Sequence, residues 1–74
     1  MLIVTQGCNR VYYMGADDTI DVEDGRLILV RSNESNPLRT RKYVLGYYDD
    51  TETAHEVLKS AIKNIKETGG LIMP

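Results

Sequence analysis

The 74-residue chain has no tryptophan, no phenylalanine, one histidine and one cysteine, and no apolar run approaches the length of a membrane span. A lone Cys8 excludes an internal disulfide, and no Cys/His pairs stand at zinc-ligand spacing to provide a metal staple in its place. The opening Met1-Leu2-Ile3-Val4-Thr5-Gln6 has no basic residue ahead of its apolar stretch, which is too short for a signal core. These absences predict a cytoplasmic protein in a reducing compartment, with no cofactor, no metal and no membrane partner. Asn33-Glu34-Ser35 fits a glycosylation sequon, but it is set aside because nothing else points to a secretory route. Without Phe or Trp, the five tyrosines must supply the aromatic packing.

What is present fits one small domain spanning residues 1–74, since a second would fall below the size at which a chain buries a core unaided. The net charge of −2 is unevenly spread. Residues 1–30 set Arg10 and Arg26 against Asp17, Asp18, Asp21, Glu23 and Asp24. Residues 31–48 reverse the balance, with Arg31, Arg39, Arg41 and Lys42 against Glu34 alone, and the remainder is acidic again. The overall acidity argues against bulk nucleic-acid binding, while the basic middle leaves room for a local patch.

The first half reads as strands. Leu2 to Gln6 and Arg10 to Met14 are β-branched and aromatic runs separated by Gly7-Cys8-Asn9. Thr19 to Glu23 alternates polar and apolar, placing Ile20 and Val22 inward. Asp24-Gly25 then predicts a tight hairpin into Arg26 to Arg31. Leu27 to Val30 is apolar on both faces, as in a central strand covered on both sides. A polar loop over residues 32–37 leads to a long strand from Leu38 to Tyr48, in which Tyr43, Leu45 and Tyr47 are expected to share a face and Gly46 to mark a bulge or a close approach. Asp49-Asp50-Thr51-Glu52 supplies a helix cap. Ala54, Val57, Leu58, Ala61, Ile62 and Ile65 form one apolar stripe on a helix that reaches about Glu67 and stops at Gly69-Gly70. Leu71-Ile72-Met73-Pro74 is an apolar tail in need of cover. The expected fold is α+β, an antiparallel meander of about five strands with the C-terminal helix across one face.

Val44-Leu45-Gly46-Tyr47-Tyr48, Thr51-Glu52, Ala54 and Glu56-Val57-Leu58, with the opening strand and the Met73-Pro74 end, resemble a pattern in small uncharacterised proteins of Gram-positive bacteria and their phages or mobile elements. That resemblance covers most of the chain and implies no activity. The meander followed by a helix is also similar to part of a pleckstrin-homology-like barrel, an analogy of fold that assigns no ligand.

Each candidate for chemistry has a plainer reading. His55 falls one residue off the apolar stripe with no nucleophile motif beside it, so it reads as a solvent-facing helix residue. Cys8 reads as an ordinary turn thiol. The acidic stretch Asp17 to Gly25 fails as a calcium loop, because counting from Gly25 puts Ile20, Val22 and Arg31 at ligand positions. Arg31, Arg39, Arg41 and Lys42, with Tyr12, Tyr13, Tyr43, Tyr47 and Tyr48, could neutralise phosphates and stack bases. Tyrosine packing and charge protection of a sheet edge explain the same residues.

The sequence therefore predicts a non-catalytic interaction module that is not an enzyme. It is expected to form a homodimer through Ile28, Val30, Leu71, Ile72 and Met73, because the two-sided strand and the orphan tail both ask for further burial. An unidentified protein partner is also expected. The alternatives are a nucleic-acid binder using residues 39–43 and a small acidic phage-type inhibitor of a host protein.

Overall fold

A computed structural model describes the backbone of residues 1–33 and 36–74, and the side chains of 1–32 and 40–74. The fold is α+β, with six strands in two open three-stranded sheets and one main helix. The strands are β1 (Leu2–Val4), β2 (Val11–Tyr13), β3 (Thr19–Glu23), β4 (Arg26–Asn33), β5 (Asn36–Tyr47) and β6 (Gly70–Ile72). The helices are α1 (Thr51–Lys63) and the single turn α2 (Ile65–Thr68).

Local chemistry accounts for the second sheet, which has the order β3-β4-β5. Asp24 (φ 49°) and Gly25 (φ 76°) make the two-residue turn that matches strand twist, and Glu23 pairs with Arg26 across it. The hairpin tip is then fastened to the start of α1. Gly25 N donates to Thr51 Oγ1 at 3.2 Å, and Tyr48 N donates to Gly25 O at 2.8 Å. A Cβ at Gly25 would stand 2.7 Å from the Tyr48 carbonyl oxygen, so glycine is required there for space as well as for its φ. The Asp50 carboxylate caps α1 by accepting from Thr53 N at 2.7 Å, and Gly69 in the left-handed region ends α2.

The five-stranded meander does not form. The second hairpin strand is paired to β1 rather than to β3, and the tail becomes β6, parallel to β1, with Leu2, Ile3 and Val4 opposite Gly70, Leu71 and Ile72. The first sheet therefore has the order β2-β1-β6. Neither sheet closes on itself, so the partial-barrel analogy does not describe the architecture either. α1 lies against β3, β4 and β6, and one core joins Ile3 and Leu71 of the first sheet to Leu27, Leu29 and Leu45 of the second and Ala54 and Ala61 of α1.

Two details of β4 and β5 differ from the strand pattern. β4 runs on to Asn33, and β5 begins at Asn36, where a loop was expected; Glu34 and Ser35 of that loop lie outside the described residues. Leu27 pairs with Gly46 while Ile28 pairs with Val44, so Leu45 is the extra residue of a bulge. The bulge resets the alternation. Tyr43 and Leu45 face the core, and Tyr47 turns out to solvent instead of sharing their face. On α1, Ile62 is likewise exposed, at the margin of a stripe whose buried members are the small Ala54 and Ala61.

Candidate interaction face

The register of the first sheet sorts its residues by side. Ile3, Tyr12 and Leu71 form one rung pointing at the core. The rungs on either side point outward, and they read Tyr13-Leu2-Gly70 and Val11-Val4-Ile72. Among the described residues of these two rungs, the Tyr13 hydroxyl is the one polar side-chain group. Leu2 is 48% exposed, Val11 58%, Tyr13 68% and Ile72 44%, while Val4 at the centre is half-buried. The exposed part of these residues amounts to roughly 400 Å², within the range of the largest patch a monomeric protein leaves bare.

Hydrogen bonds close the β1–β2 hairpin at one end, and an arginine with its ion pair ties it to β4 at the other. At one end of β1 and β2, Thr5 N and Oγ1 both donate to Arg10 O, and Thr5 Oγ1 accepts from Arg10 N at 3.1 Å. At the other end, Arg31 of β4 donates to the Tyr13 carbonyl at 2.7 Å and to Asp18 Oδ2 at 3.2 Å. The same guanidinium lies 5.8 Å from the centre of the Tyr43 ring, and that ring packs on Tyr12 at 5.2 Å. Asp18 Oδ2 also accepts from Gly15 N, and that bond, with the Arg31 guanidinium, holds its carboxyl below the usual carboxylate range.

The residues expected to mediate self-association are mostly occupied within their own chain. Leu71 and Met73 are buried in the core, and Met73 N donates to Val4 O at 3.0 Å. The tail's cover is thus its own β1, because a third strand satisfies both its backbone and its apolar side chains. Ile28 is only 3% exposed, and the Lys42–Glu23 ion pair at 3.2 Å spans the rung that holds it. Val30 is half-buried. Of the five, Ile72 alone belongs to the open face. Nothing in the sequence marks Leu2, Val4 or Val11, and Tyr13 stands out there only as a candidate for stacking bases, because short runs that are apolar at every position do not reveal which side each residue takes.

The basic cluster is partly spent in the same way. Arg31 is tied to Asp18 and Lys42 to Glu23, Arg41 is exposed, and the Arg39 side chain lies outside the described residues. His55 is exposed on α1 and Cys8 is exposed in the 3-10 turn Gln6–Cys8. Among the described residues no three His, Cys, Asp or Glu side chains gather as metal ligands, and no helix is long and apolar enough to cross a membrane. A cleft of about 340 Å³ opens between the 3-10 turn and the end of β5, lined by Gln6, Arg10, Leu45 and Tyr47 among others. Gln6 Oε1 accepts from Tyr47 N at 2.8 Å beside it, so a side-chain amide stands in for the strand that the β5 edge lacks there. Compared with family models, curated proteins and solved structures, the chain finds no match.

Proposed function

We propose that the chain is a non-catalytic interaction module that works by docking another protein surface on the outer face of its first sheet. The observation that carries this reading is the pair of uncharged rungs Tyr13-Leu2-Gly70 and Val11-Val4-Ile72, open to solvent on a sheet whose β1–β2 hairpin is tied at both ends. Water is a poor neighbour for such a face, whereas a flat apolar partner gains from every side chain it covers. Tyr13, the largest and most exposed member, has the amphipathic character typical of interface anchors. The single histidine and the single cysteine, His55 and Cys8, both stand exposed and line neither this face nor the cleft.

Photocrosslinking in the source cell tests the reading. A photoreactive residue replacing Tyr13 is expected to give a discrete protein adduct, while one replacing the exposed Lys59 of α1 gives none. Adducts at Lys59 with none at Tyr13 would move the working surface elsewhere.

A further inference from the structure

We infer that the outer edge of β5 takes up an extended, acidic peptide segment as an added strand, at a second site separate from the face of the first sheet. β5 is an edge strand, and its 12 residues far exceed the three of the edges β2 and β6. Two hydrogen bonds fix the direction of its backbone groups. Tyr48 N donates inward to Gly25 O, while Tyr47 N points away from β4 and donates to Gln6 Oε1, both at 2.8 Å. Antiparallel pairing alternates inward and outward residues. Counted back through the register and across the bulge at Leu45, Tyr43 and Arg41 turn toward β4, and Val44, Lys42 and Thr40 turn their N–H and C=O groups outward. Among the described residues no hydrogen bond from outside the sheet reaches the backbone of these three. They are the template on which a peptide adds as a strand.

The ladder has a defined end. At Tyr47 the Gln6 amide already does what a further strand would do, so an added strand stops beside Val44. There it enters the cleft of about 340 Å³ that Val44 and Gly46 line together with Gln6 and Arg10. Charge selects what the strand carries. Arg10 and Arg41 are exposed and, among the described residues, have no ion-pair partner, and β5 contains no acidic residue. Such cations repel another basic edge and favour a segment bearing Asp or Glu. The opposite edge of the sheet has the reverse character, because β3 carries Asp21 and Glu23. An acidic segment is therefore directed to β5.

The test uses the intact chain and a phage-displayed library of random peptides about a dozen residues long, ample for an edge strand. Selection is expected to enrich sequences that combine β-branched residues with Asp or Glu. An enriched peptide, resynthesised with N-methyl groups on alternate residues, should lose binding by about tenfold or more with one alternate set and keep it with the other, because only one set of its N–H groups meets β5. Thr40→Pro removes an outward N–H from an exposed edge position, and it and Arg10→Glu should each weaken binding by about tenfold or more, while Lys59→Glu on α1 should not. Circular dichroism checks that each variant keeps the fold. In residue-resolved hydrogen exchange, the Lys42 and Val44 N–H groups should exchange fast in the free chain and slow when the peptide is bound. A library that yields no enriched peptide overturns the inference, and it is the result expected if the edge cations serve only to repel other strands. So does a peptide indifferent to N-methylation or to Thr40→Pro. Binding that Tyr13→Lys abolishes while Lys42 and Val44 stay unprotected puts the peptide on the first sheet, which sustains the reading of that face and removes the edge site.

Discussion

Tyr48 folds back over Gly46, two residues before it, so closely that a Cβ at Gly46 would stand 2.6 Å from the phenol oxygen and 2.9 Å from a ring carbon. From that position the Tyr48 hydroxyl donates to Pro74 O at 3.0 Å, tying the end of β5 to the segment after β6. Gly46→Ala is therefore expected to displace the ring and destabilise the domain by about 1–3 kcal/mol, the usual cost of forcing an extra carbon into a packed site. Tyr48→Phe keeps the ring and loses only the hydrogen bond, a cost of about 1 kcal/mol or less. Urea unfolding of the two variants should rank them in that order; equal costs would mean that the ring is free to move.

The same tyrosine sets an alkaline limit. Desolvation raises its pKa above the ordinary 10.0. The unfolded chain then releases this proton at a lower pH than the folded chain, so stability is unaffected by the group below about pH 10 and falls as pH rises toward the raised folded value. The decline in urea midpoint over that range should be shallower in Tyr48→Phe than in the parent.

Asp18 and Asp50 act at the opposite end of the scale. The backbone bond from Gly15 and the Arg31 guanidinium lower the Asp18 pKa from 3.8, and the bonds from Thr53 lower that of Asp50. Both groups therefore contribute stability that is fully present above about pH 4 and is lost as pH falls through their depressed values. Asp50 is exposed, so its effect on the acid limb is modest, whereas the Asp18 side chain is only 9% exposed and its ion pair is less screened. Asp18→Asn and Asp50→Asn should each flatten that limb, with the midpoint of acid unfolding as the measurement.

Leu71 is fully enclosed by the core. Leu71→Ala is expected to cost about 2–5 kcal/mol, a large part of what a domain of this size possesses. Removal of Leu71 to Pro74 strips β6 from β1 along with the buried Met73, so the truncated chain should lose its cooperative melting transition. A truncated chain that melts like the parent would show that β6 contributes nothing to the core.

His55→Ala should change stability by about 0.5 kcal/mol or less, as for other exposed helix positions. Thermal unfolding is sufficient to check it.

The parts of this fold that were legible in the sequence are those decided by neighbours in the chain. Asp24-Gly25 makes its turn because two adjacent residues tolerate positive φ, and Asp50 caps α1 because its carboxylate reaches a backbone N–H three residues on. Gly46 announced an interruption, but the shift in phase that turns Tyr47 outward depends on which residue of β4 each side of the bulge meets. The parallel pairing of Leu2–Val4 with Gly70–Ile72 left no trace, because three-residue strands carry too little periodicity and the partners are far apart in sequence. The candidate face was hidden for the same reason. Its members belong to three short apolar runs, and only the register across all three shows that Tyr13, Leu2, Val11 and Ile72 share one side.

That long-range pairing also imposes an order of events during folding. The β3-β4 hairpin closes over two residues, and β5 adds to it antiparallel, so the second sheet can assemble from local contacts as soon as its residues exist. The first sheet cannot, because β1 waits for β6, and closing that loop carries the entropy of everything between them. On the ribosome, β1 and β2 emerge before the strands of the second sheet and are completed after them. Throughout that interval Ile3 lacks the strand that buries it, which makes the β1–β2 hairpin the part of the nascent chain most exposed to unwanted association.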